Sequence, residues 1–237
     1  MIHSGDCLEI MRGMETGSID AVVTDPPYSS GGMFRGDRMA PPEEKYVYDS
    51  TKRTCRTGFS GDNKDQRSFL LWSILWMSEA RRLVKPGGIL ACFTDWRQLP
   101  AVTDAVQCSG WVWRGVGTWW KPGIRMQKGR MSYSSEFVVY ATHGVPSGGR
   151  GNPQSVISCP PVRGGDKLHV AEKPVPVLEW LLGLVPEEGT VLDPFVGSGT
   201  TGVAAVRGGF GFVGIEMDSG YCQVAEARIR EAMECCA

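Results

Sequence analysis

One segment, VLDPFVGSGTTGVAA at residues 191–205, limits the fold of this chain more than any other. Its first residues are mostly apolar, as in a buried strand, and its last residues favour a helix. Between them, Gly197, Gly199 and Gly202 have the G-x-G-x-x-G spacing of a strand–turn–helix unit that approaches a nucleotide closely. Glu216 ends the next predicted strand, where an acidic residue can bind a ribose hydroxyl. The pattern predicts an adenosine-containing cofactor, although glycines at such a turn can also serve packing alone.

The residues around the glycines distinguish between cofactors. No lysine follows the last glycine, so the segment is not a phosphate-binding P-loop. Asp193 precedes the glycines, and a carboxylate there would repel a pyrophosphate but attract an ammonium group. An NAD-dependent oxidoreductase would also need a distinct substrate domain, for which a chain of this length has little room. These features favour S-adenosylmethionine, whose amino-acid end is zwitterionic and whose sulfonium is positive.

Strand and helix patterns alternate along the rest of the chain. Such alternation is typical of the α/β class, in which a mainly parallel sheet is covered by helices on both faces. The segments 111–120 and 136–142 are close enough in sequence to pair as an antiparallel hairpin. Pro and Gly at 85–88 are expected to end a helix. The predicted strands are 1–4, 20–24, 89–94, 111–120, 136–142, 190–195 and 210–216, and the predicted helices are 67–84, 174–185, 200–207 and 221–233.

The 237 residues are 42% hydrophobic and 22% charged, which is enough apolar material for a single folded domain over 1–237. No apolar run approaches the ~18 residues of a membrane span, and the N-terminus lacks a signal-peptide pattern, so a cytoplasmic protein is expected. Eight cysteines occur without a C-x-x-C pair or zinc-ligand spacing, which predicts reduced thiols and no metal. The stretches 29–66 and 144–165 are rich in Gly and Pro and are interpreted as functional loops.

The net charge of −1 means that a nucleic-acid partner would have to be held by a local basic patch. Such a patch lies between Asp104 and Glu136, a stretch without an acidic residue. A basic stretch alone is typical of a solvated face. Aromatic residues interleaved with it favour phosphate contacts beside base stacking. The basic residues are Arg114, Lys121, Arg125, Lys128 and Arg130, and the aromatic residues are Trp111, Trp113, Trp119, Trp120 and Tyr133.

The segment VVTDPPY, residues 22–28, ends a predicted strand abruptly with an acid, two prolines and an aromatic ring. Each proline lacks an N–H and restricts the residue before it to extended geometry, so the backbone is stiff. Asp25 and the Pro26 carbonyl can each accept one N–H of an amine on a flat ring, which aims the nitrogen lone pair at a methyl donor. Tyr28 can stack on that ring. The alternative is a turn capped by Asp25, and the nucleoside loop elsewhere in the same sheet favours the catalytic interpretation.

Together these motifs resemble the amino-group DNA methyltransferases of the N6-adenine/N4-cytosine family, in the β-type order with DPPY before the cofactor motif. The resemblance covers most of the chain, and its segments occur in the family's order. It implies a Rossmann-like S-adenosylmethionine-dependent methyltransferase fold, with a mainly parallel seven-stranded sheet that contains one reversed hairpin. It also implies a target base that is flipped out of the duplex. The matching segments are GDCLEIM, IDAVVTDPPY, LVKPGGILACF, TWWKPG, SEFVVYATHG, HVAEKPVPVLEWLL, VLDPFVGSGTTGVAA and FVGIEMD.

By matching position, the resemblance also implies residue roles. Trp120 equally suits the core, and His169, ahead of EKP, equally suits a structural hydrogen bond. Within the cofactor set, Glu216 would bind the ribose, Asp6 and Cys7 would lie at the adenine, and Lys173 would lie near the carboxylate. The catalytic residues would be Asp25, Pro26, Pro27 and Tyr28, and the base-pocket or DNA contacts would be Trp120, Lys121, Arg125, Lys128 and Arg130. S-adenosylmethionine, and its product S-adenosylhomocysteine, would be bound by Asp6, Cys7, Lys173, Asp193, Phe195, Gly197, Gly199, Thr200 and Glu216.

In this family DPPY is more usual in the adenine enzymes and SPPY in the cytosine enzymes. N6 of adenine in double-stranded DNA is therefore the predicted target. The alternatives are N4 of cytosine, an RNA or glutamine acceptor, an NAD-dependent oxidoreductase, and a nucleic-acid-binding module without catalysis. Recognition of the DNA sequence is assigned to the loops 29–66, 121–135 and 144–168. A homodimer that shares the DNA is left open, and no membrane partner is expected.

Overall fold

The computed structural model describes residues 1–28, 64–124, 128–129, 131–162 and 172–235. In these residues eight strands form one sheet, and six helices pack around it. The strands are β1 (Ile2–Ser4), β2 (Ile19–Thr24), β3 (Val84–Thr94), β4 (Val112–Trp120), β5 (Ser135–Thr142), β6 (Val156–Ser158), β7 (Thr190–Asp193) and β8 (Gly211–Glu216). The helices are α1 (Cys7–Arg12), α2 (Gln66–Leu83), α3 (Leu99–Cys108), α4 (Val175–Leu182), α5 (Thr200–Arg207) and α6 (Ser219–Glu234).

The sheet has the strand order β1-β8-β7-β2-β3-β5-β4-β6. Neighbouring strands are parallel except in the pairs β3–β5 and β4–β5, so β5 runs against the others. This confirms the predicted α/β class and the mainly parallel sheet with one reversed hairpin. The described sheet has eight strands, however, and not seven. The additional strand is β6, which lies within the stretch 144–165 that was interpreted as a loop. Its three residues pair with residues 118–120 of β4.

β2 is a central strand that is covered on both faces. Val22 packs into a core cluster that includes Trp76 and Met77 of α2. Its neighbours Ala21 and Val23 belong to a second cluster, which includes residues of α4 and α5 on the other face. Alternate side chains of a strand point to opposite faces, so burial of both faces explains why β2 is an almost continuous apolar run.

β3 begins at Val84, directly after α2, and therefore includes the KPGG segment that was predicted only to end the helix. Its pairing with β2 is irregular between Ile19 and Ala21. A Cβ at Gly88 would lie 2.4 Å from the main-chain oxygen of Asp20, so this close approach of the two strands requires glycine. Helices α1 and α3 lie in segments that the sequence patterns left unassigned.

The strand directions bring several chain segments to one edge of the sheet. The carboxyl ends of β1, β2, β3, β4, β7 and β8 lie there, together with the amino end of the antiparallel strand β5. We call this side the carboxyl edge. Ligands of open α/β sheets bind outside the carboxyl ends of the strands, so this edge is where a site is expected. Among the described residues, no helix is both long and apolar enough to span a membrane.

Candidate active site

The glycine turn after β7 forms one half of the candidate site. Gly197 and Gly199 have φ angles of 53° and 87°, a left-handed conformation that favours glycine. A Cβ at Gly199 would lie 2.8 Å from the Cα of Ala225, so the turn packs directly against α6. A Cβ at Gly202 would lie 2.3 Å from Cδ1 of Ile229. Gly199 is the N-cap of α5, and the free N–H groups of that helix therefore lie at the carboxyl edge.

Glu216, the last residue of β8, lies against this turn. Its Oε2 accepts a hydrogen bond from the Gly197 N–H at 2.8 Å, and its Oε1 accepts one from the Asp218 N–H at 2.9 Å. The predicted proximity of the acid and the glycines is therefore present. The contact of Glu216 with a ribose stays a prediction.

Asp193 ends β7 and is only 1% exposed. Its Oδ1 accepts hydrogen bonds from Thr24 Oγ1 at 2.6 Å and from the Phe195 N–H at 3.0 Å. Burial raises the pKa of Asp193 to about 6, although these hydrogen bonds and one from Thr201 act in the opposite direction. Because Thr24 directly precedes Asp25, this hydrogen bond joins the cofactor motif to the DPPY motif.

The DPPY motif continues β2 at the carboxyl edge. Pro26 is buried, and Asp25, Pro27 and Tyr28 are half-buried. The Asp25 side chain is 23% exposed at this edge. The four predicted catalytic residues therefore lie next to the strand end that carries Asp193.

Asp25 belongs to a cluster of interacting charged groups, which we call the carboxylate–lysine cluster: Asp25, Tyr28, Lys121, Glu136 and Lys173. The Tyr28 hydroxyl donates to Oδ1 of Asp25 at 2.5 Å, and the Lys173 ammonium forms an ion pair with Oδ2. Lys173 also lies 3.2 Å from Oε2 of Glu136, and Lys121 forms an ion pair with Oε1 of Glu136. Two carboxylates and two ammonium groups thus balance each other beside the predicted target amine.

The pKa values of the two carboxylates in this cluster are shifted in opposite directions. Burial raises the pKa of Asp25, with Lys173 opposing and Glu136 reinforcing the effect. Burial would also raise the pKa of Glu136, but Lys173 and Lys121 together lower it to about 2. Glu136 therefore stays ionised over the physiological range, whereas Asp25 is the carboxylate that binds a proton more readily.

Asp6 and Cys7 lie at the same edge, just beyond β1. Asp6 is the N-cap of α1, where its Oδ1 accepts hydrogen bonds from the N–H groups of Leu8 and Glu9 at 2.9 and 3.2 Å. Cys7 is buried, and burial raises the pKa of its thiol to about 12. Asp6 therefore caps the helix and Cys7 packs in the hydrophobic core, and the contact of both residues with an adenine ring stays a prediction. Lys173 was predicted to lie near the carboxylate of the cofactor; its ammonium lies in the carboxylate–lysine cluster, and its contact with the cofactor stays a prediction.

The predicted DNA residues are only partly described. Trp120 is 48% exposed at the end of β4, which excludes the core interpretation, whereas the neighbouring Trp119 is 2% exposed and donates to the Cys159 carbonyl at 2.8 Å. Lys128 is exposed. Lys121 is half-buried and bound to Glu136. Arg125, Arg130, His169, residues 29–63 and residues 163–171 lie outside the described residues.

Three residues of this edge were missed as site residues. Glu136 was noted only as the end of an acid-free stretch, and nothing in its local sequence indicates two lysine partners. Arg228 of α6 donates to the Ser198 carbonyl at 2.7 Å and forms an ion pair with Glu172 at 2.7 Å, which fixes the glycine turn to the residue before Lys173. Trp96, 49% exposed just beyond β3, stacks on Tyr133 with ring centroids 5.6 Å apart.

Comparison with known proteins identifies the family. The model of the N6/N4 DNA methylase family matches residues 19–147 and 150–227. This chain belongs to that family. The match confirms the resemblance found in the sequence, and most of the carboxyl edge described above lies within the matched residues.

Individual proteins show the same likeness. The type II methyltransferase M2.MboI of Moraxella bovis is 24% identical over 250 residues, which cover 97% of this DNA methylase and 87% of M2.MboI. The solved M1.HpyAVI–SAM complex has a TM-score of 0.70 at 23% identity and covers 97% of this chain and 98% of that one. The cytosine-N4-specific PvuII DNA methyltransferase has a TM-score of 0.74 at 16% identity, with 99% and 91% covered. These structures confirm the predicted Rossmann-like methyltransferase fold.

Proposed function

We propose that this DNA methylase transfers a methyl group from S-adenosylmethionine to N6 of adenine in duplex DNA. The observation that carries the proposal is the contact between its two motifs. Thr24 Oγ1, next to Asp25, donates to Asp193 Oδ1 at 2.6 Å, and Asp193 begins the turn that leads to Gly197. An amine bound at Asp25 would therefore lie beside a cofactor bound at the glycine turn.

The residues of the glycine turn fit S-adenosylmethionine. This cofactor supplies a methyl group that is electrophilic because it is attached to a sulfonium. A positive group near Asp193 would offset the burial that raises the pKa of this carboxyl to about 6. Glu216 lies beside Gly197, where a ribose would be within reach of its carboxylate. The M1.HpyAVI–SAM complex, which shares the fold, supports the assignment.

The DPPY residues orient the target amine. Asp25 and the main-chain oxygen of Pro26 each accept one N–H, so the nitrogen lone pair points towards the methyl group. Tyr28 stacks on the flipped base. The nitrogen–carbon bond forms as the sulfur–carbon bond breaks, without a covalent enzyme intermediate. The proton leaves once the nitrogen is cationic, so the role of Asp25 is to orient and polarise the amine.

The carboxyl edge also carries side chains that suit a DNA partner. Trp96, Trp120 and Tyr133 are between 48% and 61% exposed beside the cluster around Asp25. Exposed aromatic rings bind nucleobases by stacking, and lysine and arginine side chains bind phosphates. We assign recognition of the DNA sequence to the loops 29–66, 121–135 and 144–168.

N4 of cytosine is the second candidate target. The PvuII enzyme, which is cytosine-N4-specific, shares the fold of this chain with a TM-score of 0.74. Adenine N6 and cytosine N4 both present two N–H groups, so the acceptors at Asp25 and Pro26 would serve either amine. The DPPY sequence favours adenine.

Sequencing that reports modified bases distinguishes the two targets. The wild-type chain would be expressed in a host without N6-adenine or N4-cytosine methylation, with Asp25→Ala as the control. We expect N6-methyladenine at one short sequence with the wild type and none with the variant. N4-methylcytosine would select the second candidate. Absence of both marks, with folded protein in the cells, would contradict DNA methylation.

A further inference from the structure

Glu136, the second residue of β5, has no role in the mechanism above although it lies in the carboxylate–lysine cluster. Its side chain is 18% exposed and contacts three members of that cluster. Oε1 binds Lys121, and Oε2 lies 3.2 Å from Lys173 and 3.4 Å from the Tyr28 hydroxyl. One carboxylate therefore reaches both groups that bind Asp25.

The present contacts of Asp25 compete with the proposed binding of an amine. Oδ1 accepts from Tyr28, and Oδ2 binds the Lys173 ammonium. A target amine must donate to one of these oxygens, where it competes with the donor already bound, and the competition is strongest with the ammonium because its hydrogen bond to a carboxylate is charge-assisted. The Lys173 side chain is only 8% exposed, and a buried ammonium that lost its partner would be strongly destabilised.

We propose that Glu136 is a positioning residue that takes over the Lys173 ammonium when the target amine arrives and so frees an oxygen of Asp25. The inference rests on the proposed methyl transfer and adds a residue to it. Lys173 would exchange one carboxylate partner for the other without leaving the cluster.

The geometry makes this exchange a small movement. Nζ of Lys173 already lies 3.2 Å from Oε2 of Glu136, close to the length of an ion-paired hydrogen bond. Lys121 stays on Oε1, so Glu136 remains neutralised throughout. The charges of the cluster do not change, and no ion has to be desolvated during the exchange.

The exchange predicts a specific change in the pH profile. Burial raises the pKa of Asp25, Lys173 lowers it, and Glu136 raises it by charge repulsion. Loss of the Glu136 charge should therefore lower the pKa of Asp25 in the free enzyme and move the acid limb of kcat/KM to lower pH, while kcat itself falls. Among the described residues, the titratable groups that face Asp25 are Lys173 before α4, Glu136 on β5, Tyr28 beyond β2, Cys92 on β3 and Asp193 on β7.

The test compares Glu136→Gln with the wild type in methylation of a duplex that carries the mapped sequence. We expect kcat to fall on the order of tenfold, the KM for S-adenosylmethionine to change little, and the acid limb to move to lower pH. Glu136→Asp, which keeps the charge, should recover part of kcat and retain the wild-type acid limb. In a Lys173→Gln background, the added Glu136→Gln change should cost little, because the ammonium that has to be moved is absent.

Asp20→Asn is the matched control. Asp20 also forms an ion pair with a lysine, Lys85, and its side chain is 17% exposed, but it lies at the opposite edge of the sheet. This variant should lower the unfolding temperature and leave the acid limb in place. A normal kcat in Glu136→Gln would overturn the proposal. So would a loss of kcat that leaves the acid limb in place and is equally large in the Lys173→Gln background. A wild type that methylates no DNA would instead overturn the proposed function itself.

Discussion

At the scale of a single residue, ionisation of the buried Asp193 carboxyl destabilises the folded chain. Its carboxyl is 1% exposed, and its folded-state pKa of about 6 lies above the ordinary value of 3.8. Between these pH values the folded chain binds more protons at this group than the unfolded chain does. The contribution of Asp193 to stability therefore declines as pH rises from about 4 to about 6. A carboxylate that destabilises the fold at neutral pH is consistent with a role in binding a cation.

Asp193→Asn should separate stability from ligand binding. The amide can still accept hydrogen bonds from Thr24 and Phe195 but does not titrate. The free energy of unfolding of the variant, relative to that of the wild type, should therefore rise by up to about 3 kcal/mol between about pH 4 and pH 7. Urea denaturation of both proteins across this range measures the gain. Calorimetry with S-adenosylmethionine should show weaker binding to the variant. Parallel stability curves for the two proteins would contradict the assigned titration.

At the scale of one element, the turn between β7 and α5 depends on glycines in unequal ways. Gly199→Ala places a Cβ 2.8 Å from the Cα of Ala225 and forces alanine into a φ of 87°. We expect the free energy of unfolding to fall by about 2 kcal/mol or more and S-adenosylmethionine binding to be lost.

Gly197→Ala is the matched control for this prediction. Its φ is also positive, at 53°, but nothing lies within 4 Å of an added Cβ. The cost should be only about 1 kcal/mol, the strain of the left-handed conformation alone. Urea denaturation and calorimetry compare the two variants. Equal losses in both would show that packing against α6 does not hold the turn in place.

The elements that sequence patterns predicted best are those with an unambiguous apolar signal. β2 and β7 are short buried runs followed by proline- or glycine-containing turns, and the motifs after them were placed at the correct edge. β6 was missed because three residues, Val156–Ser158, carry no periodicity and depend on pairing with β4. Glu136 was missed as a site residue for a similar reason, since its partners Lys121 and Lys173 are brought together only by the sheet.

At the scale of the whole molecule, the carboxyl edge combines the candidate site with an exposed aromatic surface. Trp96 and Tyr133 stack with an interplanar angle of 13°, and the Arg97 guanidinium carbon lies 5.2 Å from the Trp96 ring centroid. A homodimer that shares the DNA across such a surface stays a prediction, which gel-filtration mass with and without duplex would test.

Replacement of both rings, Trp96→Ala with Tyr133→Ala, should weaken duplex binding on the order of tenfold or more and leave S-adenosylmethionine binding unchanged. Fluorescence anisotropy of a labelled duplex measures the change. Trp113→Ala is the control, because Trp113 is 43% exposed but lies near the amino end of β4, away from the carboxyl edge. Equal effects of the two replacements would contradict the assigned DNA surface.

The central claim is that Asp25 holds the target amine beside a cofactor bound at the glycine turn. Asp25→Ala tests it most directly, with methyl transfer to duplex DNA and S-adenosylmethionine affinity measured on the same preparation. We predict that transfer falls by about 1,000-fold or more, while the dissociation constant of the cofactor stays close to that of the wild type. Transfer at a near-normal rate by a folded Asp25→Ala protein would contradict the claim.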